Sequence, residues 1–234
     1  MPNARRTAEA RMNAYQAGWR AAALPNGEAA WIWAAGPYSG DLGEAIRRAK
    51  YGQNWVTIMR LRRQFMNVHR SGVWALHPTI VPIPADPRRL GLRGLHLPAL
   101  LAHTLSRHQK LPMERLGLLK HQSSESLAHQ RSSARECPPA SPTFEASPRL
   151  RGKPVVVVDD VFTSGLTVQV AYEALRAVGA VPVAGVVLAH QPVPARVCAG
   201  SRTIMPTCPT APVTQPSVCM SFWSSLRSRL TRET

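Results

Sequence analysis

Two carboxylates stand side by side at Asp159 and Asp160, and a small, hydroxyl-rich run follows: Thr163, Ser164, Gly165, Leu166 and Thr167. Ionised carboxylates only accept hydrogen bonds. An adjacent pair suits two neighbouring hydroxyls of a neutral polyol, or the waters of a hydrated Mg²⁺. A loop of small residues ahead of a helix offers the opposite chemistry. Its free backbone N–H groups and the positive end of the helix dipole favour phosphate. The acids would repel that phosphate, so the two features must serve different parts of one ligand. A ribose 5-phosphate carrying a second, metal-bound phosphate group satisfies both.

The elements that must hold these residues are legible on either side. Val155, Val156, Val157 and Val158 form a β-branched run with no polar face. Such a run suits a strand buried on both sides of a parallel sheet. After the loop, Val168, Ala171, Leu175 and Val178 recur at helical spacing, with Gly179 placed to cap the helix end and Thr167 its start. The order is strand, acid pair, loop, helix, and open parallel sheets bind ligands beyond the carboxyl ends of their strands. A strand ending in two acids also occurs in P-loop NTPases, but the string Gly-x-x-x-x-Gly-Lys-Ser/Thr is found nowhere in the chain.

A second short strand is expected at Thr79–Ile83, with a rigid exit set by Pro82, Pro84 and Pro87. Arg88, Arg89 and Arg93 cluster beyond it. If this strand lies parallel to the valine run, those arginines reach the crevice of Asp159. Their planar forks make paired, charge-assisted hydrogen bonds to a pyrophosphate. A helix over about 97–108 carries Leu97, Leu100, Leu101 and Leu105 on one face, and Val181–Ala189 reads as the next strand of a βαβ unit with a right-handed crossover. Upstream, Leu42, Ala45, Ile46 and Ala49 have helical spacing that Lys50-Tyr51-Gly52 breaks, and Trp55, Ile58, Met59, Phe65 and Met66 begin again. The Ala- and Arg-rich start predicts an amphipathic helix over about 3–22.

The 234 residues suffice for one α/β domain with appendages. A net charge of +16, nearly all arginine, points to nucleic acid, a phosphorylated ligand or an anionic surface, or to a compositional bias. The arginines are scattered with little aromatic interleaving, so single-stranded DNA is a weaker partner than a small phosphorylated molecule. The N-terminus lacks the apolar run of a signal peptide, and apolar stretches are short, so the expectation is a cytoplasmic protein with no membrane insertion. Cys137, Cys198, Cys208 and Cys219 form no Cys-x-x-Cys pair and suggest reduced thiols. Residues 191–234 are rich in Pro, Ser and Thr, without period, and have the composition of a segment that does not pack.

The stretch Gly152 to Thr167 resembles the signature of type I phosphoribosyltransferases: four apolar residues, two acids, then a Thr/Ser/Gly loop. The resemblance implies a phosphoribosyltransferase-like fold, a central, mostly parallel sheet flanked by helices with the ligand site at the C-terminal strand ends. It also implies phosphoribosyl pyrophosphate (PRPP) as ligand. Asp159 and Asp160 would contact its ribose hydroxyls, Thr163 to Thr167 its 5′-phosphate, and Mg²⁺ would accompany it without direct protein ligands. Lys50-Tyr51-Gly52 and the run Pro82 to Gly94 narrow the likeness to the ComF/GntX-like, competence-associated subfamily, over about residues 38–190.

On that likeness the chain divides into an extension (1–36), a phosphoribosyltransferase-like domain (37–190) and a tail (191–234). No cysteine precedes Cys137, so the zinc ribbon of many subfamily members is not expected. The usual Arg-Gly-Phe-Asn-Gln reads Arg93-Gly94-Leu95-His96-Leu97, and the lid pattern near 120–137 is loose, leaving Ser124 and Arg131 as its candidates. Two functions follow from the resemblance. One is transfer of the phosphoribosyl group to an unidentified acceptor with release of pyrophosphate, a glycosyltransferase reaction. The other is a non-catalytic PRPP- or nucleotide-binding protein of the DNA import and recombination machinery, with competence proteins and single-stranded DNA among its partners. Neither defines an oligomeric state.

Overall fold

The computed structural model describes residues 17–52, 54–85, 95–121 and 143–191. The architecture is α/β, as the sequence predicts. Five strands form the central sheet: β1 (Gly18–Ala23), β2 (Ala29–Pro37), β3 (Thr79–Pro82), β6 (Pro154–Phe162) and β7 (Val181–His190). Their order is β1-β2-β7-β6-β3. Only the β1–β2 pair is antiparallel; β2, β7, β6 and β3 run parallel. A separate antiparallel ribbon joins β4 (Leu118–His121) to β5 (Thr143–Ala146).

The valine run lies in the middle of this sheet, at 0–1 % exposure. Its residues divide between two cores by alternation. Val156 and Val158 belong to one core with Ile46 and Ala49 of α1 (Gly40–Tyr51), Ile58, Leu61 and Phe65 of α2 (Trp55–Phe65), and Leu97, Leu101 and Leu105 of α3 (Leu97–Gln109). Val155 and Val157 face the other, with Val168, Ala171, Tyr172 and Leu175 of α4 (Leu166–Ala177) and with Leu118 and Ala146 of the ribbon. Burial on both faces is why the run shows no polar alternation, and each such side chain contributes about 1.5–3 kcal/mol.

Helix ends follow local chemistry. Asn54 caps α2 by accepting from the Thr57 N–H at 3.0 Å. Gly179, at φ +77°, ends α4 in a Schellman motif: its N–H donates to Arg176 O at 2.9 Å, and the Ala180 N–H donates to Leu175 O at 3.0 Å.

One expectation fails at the N-terminal side. Residues 18–22 are strand, not the end of a helix, because Gly18 to Ala23 pair in register with Ala34 to Ala29. Trp19 packs in one core and Ala22 in the other, and the pairing partner decides the conformation. The sheet therefore begins at residue 18, and β2 crosses the boundary expected at residue 36. The remainder of that expected helix, through residue 16, lies outside the described residues, as does the tail from residue 192.

Candidate active site

The parallel strands β3 and β6 pair from Thr79↔Val155 to Pro82↔Val158; β3 ends there, and β6 runs on through both acids to Phe162, so the acids lie inside the strand rather than after it. The Ile83 N–H donates to Val158 O at 2.8 Å and holds the strand exit beside the acids. A pocket of about 380 Å³ opens at this edge. Asp159, Asp160, Thr163 and Thr167 line it, together with Ile83, Pro84 and Ala85 from the exit of β3. This is the crevice beyond the carboxyl ends of parallel strands where such sheets bind ligands.

The acid pair is held by its own backbone and by a distant lysine. The Asp160 N–H donates to Asp159 Oδ1 at 2.8 Å. Asp160 Oδ2 lies 2.8 Å from Lys50 Nζ, with both side chains largely withdrawn from solvent (17% and 15% exposed). Desolvation, and secondarily the charge of Asp160, holds the Asp159 carboxyl well above the usual carboxylate range; the Asp160 N–H and Lys50 oppose this. Asp159 thus has much to gain from hydrogen-bond donors of a ligand.

The loop after β6 turns at Gly165, which has φ +80° and is buried. Gly165 is the N-cap of α4, and no side chain caps this end. The expectation that Thr167 caps the helix is therefore corrected: the left-handed backbone at Gly165 starts the helix two residues earlier and leaves Thr167 inside its first turn, facing the pocket. The Leu166 N–H reaches Ser164 Oγ at 3.4 Å, a long contact. An uncapped helix start leaves backbone N–H groups unsatisfied and carries the positive end of the helix dipole, chemistry that suits an anion. Thr163 and Thr167 reach the pocket directly; Ser164, Gly165 and Leu166 shape the turn.

Other residues enter that the sequence did not single out as ligand contacts. Lys50, Tyr38, Lys120 and Phe144 line the pocket from α1, the end of β2, β4 and β5. Lys120 and Phe144 are register partners in the ribbon. His96 lines it where the subfamily pattern has a different polar pair. Its Nε2–H donates to Ile83 O at 2.9 Å, and desolvation pushes its imidazole pKa down despite that bond and the charge of Asp160. The lysine could have been suspected from the Lys-Tyr-Gly string, but its contact with Asp160 is a tertiary fact.

Arg88, Arg89 and Arg93 lie outside the described residues, between pocket-lining Ala85 and Leu95. Ser124 and Arg131 also lie outside them, between the two strands of the ribbon, as do all four cysteines. Among the described residues no group of three or more His, Cys, Asp or Glu could hold a metal ion, and no helix is long and apolar enough to cross a membrane. Two carboxylates without further ligands fit a Mg²⁺ that keeps its waters and is carried by ligand phosphates.

Residues 95–206, just under half of the chain, match the family model of the phosphoribosyl transferase domain. That region is therefore similar to a phosphoribosyl transferase domain, and it lies on a mostly parallel α/β sheet. The matched model is the general one and does not single out the competence-associated subfamily. No curated protein matches the chain. Among solved structures, the chain is similar to orotate phosphoribosyltransferase from Aeropyrum pernix, at 16% identity over 79% of this chain and 80% of that one, with a TM-score of 0.36. It is also similar to purine phosphoribosyltransferase from Pyrococcus horikoshii Ot3, at 18% identity over 64% and 88%, TM-score 0.32. A third is adenine phosphoribosyl transferase from Trypanosoma brucei, solved with AMP, pyrophosphate and ribose-5-phosphate, at 12% identity over 78% of each chain, TM-score 0.34. At these scores all three are distant likenesses.

Proposed function

We propose that the pocket binds PRPP together with Mg²⁺ and that the protein transfers the phosphoribosyl group to an acceptor. One observation carries this reading. An uncapped helix start at Gly165 and two adjacent carboxylates share one pocket at the carboxyl edge of a parallel sheet. The α4 N-terminus and the hydroxyls of Thr163 and Thr167 hold the 5′-phosphate. Asp159 and Asp160 accept from the ribose hydroxyls, which offsets the desolvation of Asp159. Arg88, Arg89 and Arg93 are the candidates for the pyrophosphate. Mg²⁺, when bound, supplies positive charge to that group.

Transfer proceeds by attack of the acceptor on C1 as the C1–O bond to pyrophosphate breaks, with positive charge developing on the ring. The acids below the ribose stabilise that charge, and a recessed pocket limits attack by water. The likeness to competence-associated proteins supports a place beside DNA-import and recombination proteins.

The test is calorimetry with Mg²⁺ and PRPP on the parent and on the Asp159→Asn, Asp160→Asn double variant, with thermal melts to establish that the variant is folded. Loss of binding in the folded variant is expected. Undiminished PRPP affinity would overturn the site. Incubation of the parent with PRPP and a panel of bases and amines then separates the two activities. Pyrophosphate release dependent on one acceptor marks a transferase, and binding without turnover marks a sensor.

A further inference from the structure

Lys50 and the phosphate loop approach the acid pair from opposite faces of the sheet. Lys50 sits in the last turn of α1, whose Ile46 and Ala49 pack in one core with Val156 and Val158. The loop leads into α4, whose Val168 and Ala171 pack in the other core with Val155 and Val157. Both nevertheless line one pocket together with Asp159 and Asp160, and Lys50 touches Asp160 there. A ligand seated on the acids with its 5′-phosphate at the α4 N-terminus therefore extends toward Lys50.

We infer that Lys50 is a specificity-determining residue, the cation for the pyrophosphate end of the ligand, through which the pocket distinguishes PRPP from ribose 5-phosphate. This rests on the PRPP reading above. In the free protein the Lys50 ammonium is held by Asp160 Oδ2 at 2.8 Å. An ammonium has three donors, so Lys50 can keep Asp160 and still donate to a phosphate oxygen. Its stem is withdrawn from solvent at 17% exposure, so little freedom remains to be lost on binding. Asp160 thereby serves two partners: it accepts from a ribose hydroxyl and it positions the cation. A merely structural counter-ion would neutralise Asp160 and favour both ligands alike. A pyrophosphate contact favours only the ligand that has one.

The experiment measures the ratio of affinities for PRPP and ribose 5-phosphate by calorimetry in Mg²⁺, for the parent, Lys50→Met, Lys50→Arg and the Lys50→Met, Asp160→Asn double variant. For Lys50→Met the ratio is expected to fall about tenfold or more, the size of a lost charged hydrogen bond. Lys50→Arg restores most of it. The fall persists in the double variant, where no unpaired carboxylate remains to repel the pyrophosphate. An unchanged ratio in Lys50→Met, or a ratio regained in the double variant, overturns the inference and leaves the PRPP site standing. Failure of the parent to bind either ligand overturns the PRPP reading itself. Melting curves keep a misfolded variant from being read as a loss of affinity, with Lys50→Arg as the charge-conserving variant.

Discussion

Gly165 packs against the tip of the Phe162 ring at the turn that starts α4. A Cβ placed there would stand 3.0 Å from Phe162 Cζ, 3.2 Å from Leu24 Cδ2 and 3.3 Å from Ala23 O, and the backbone has φ +80°. The tightness ties this turn to the end of β1 and to the strand that carries the acids. Gly165→Ala is expected to destabilise the fold by about 1–3 kcal/mol, from left-handed strain and crowding. It should also weaken ribose 5-phosphate binding, because the first turn of α4 must shift. Urea denaturation and calorimetry check both, and a neutral effect on each would mean the turn is not a rigid anion cradle.

Thr167 lines the pocket from within the first turn of that helix. Thr167→Val keeps the side-chain shape and removes the donor. Affinity for ribose 5-phosphate should fall about tenfold, as for a lost hydrogen bond to a charged group, with the melting temperature little changed. Retention of full affinity would remove Thr167 from the phosphate site.

Asp159 makes stability depend on pH in an unusual direction. Its carboxyl is held above its unfolded value, so the folded state binds more protons than the unfolded one over a window from about pH 4 up through neutrality. Stability from this group is present below that window and is lost as pH rises through it. Asp159→Asn should therefore stabilise the ligand-free protein near pH 7 and leave it unaltered near pH 4. Melting temperatures of parent and variant across that range test the sign; a variant less stable at neutral pH would contradict it.

His190 has the opposite slope. It is 4% exposed and stacks on Phe162 at 5.3 Å between ring centroids. Burial, reinforced by the charge of Arg20, lowers its pKa from 6.5 to about 4. The unfolded chain binds the extra proton, so stability falls as pH drops from 6.5 toward 4, by about 3 kcal/mol in all. His190→Gln should flatten that acid limb. An unchanged limb, followed by denaturant titration at each pH, would show that the ring is not neutral in the fold.

How much was legible in the chain differs sharply between neighbouring residues. The valine run, the acids, the small loop and the helix after it are contiguous, and each announces its conformation through local chemistry. A strand buried on both faces needs an unbroken apolar run, and a tight strand-to-helix turn needs small residues. The start of α4 was misplaced by two residues because Thr167 is a good cap by type, whereas the left-handed Gly165 that displaces it is imposed by packing against Phe162 and Leu24.

By itself, then, the sequence determined the strand, the acid pair and the loop, all within sixteen residues from Gly152 to Thr167. Only the tertiary structure decided that residues 18–23 are strand, since their hydrogen bonds go to β2 and not to their own turn. Only it placed Lys50 at 2.8 Å from Asp160, across 110 residues of chain. A local conformation is written in nearest-neighbour sterics and burial pattern. An ion pair between α1 and β6 exists because two cores, one on each face of the sheet, bring helix ends to the same strand edge.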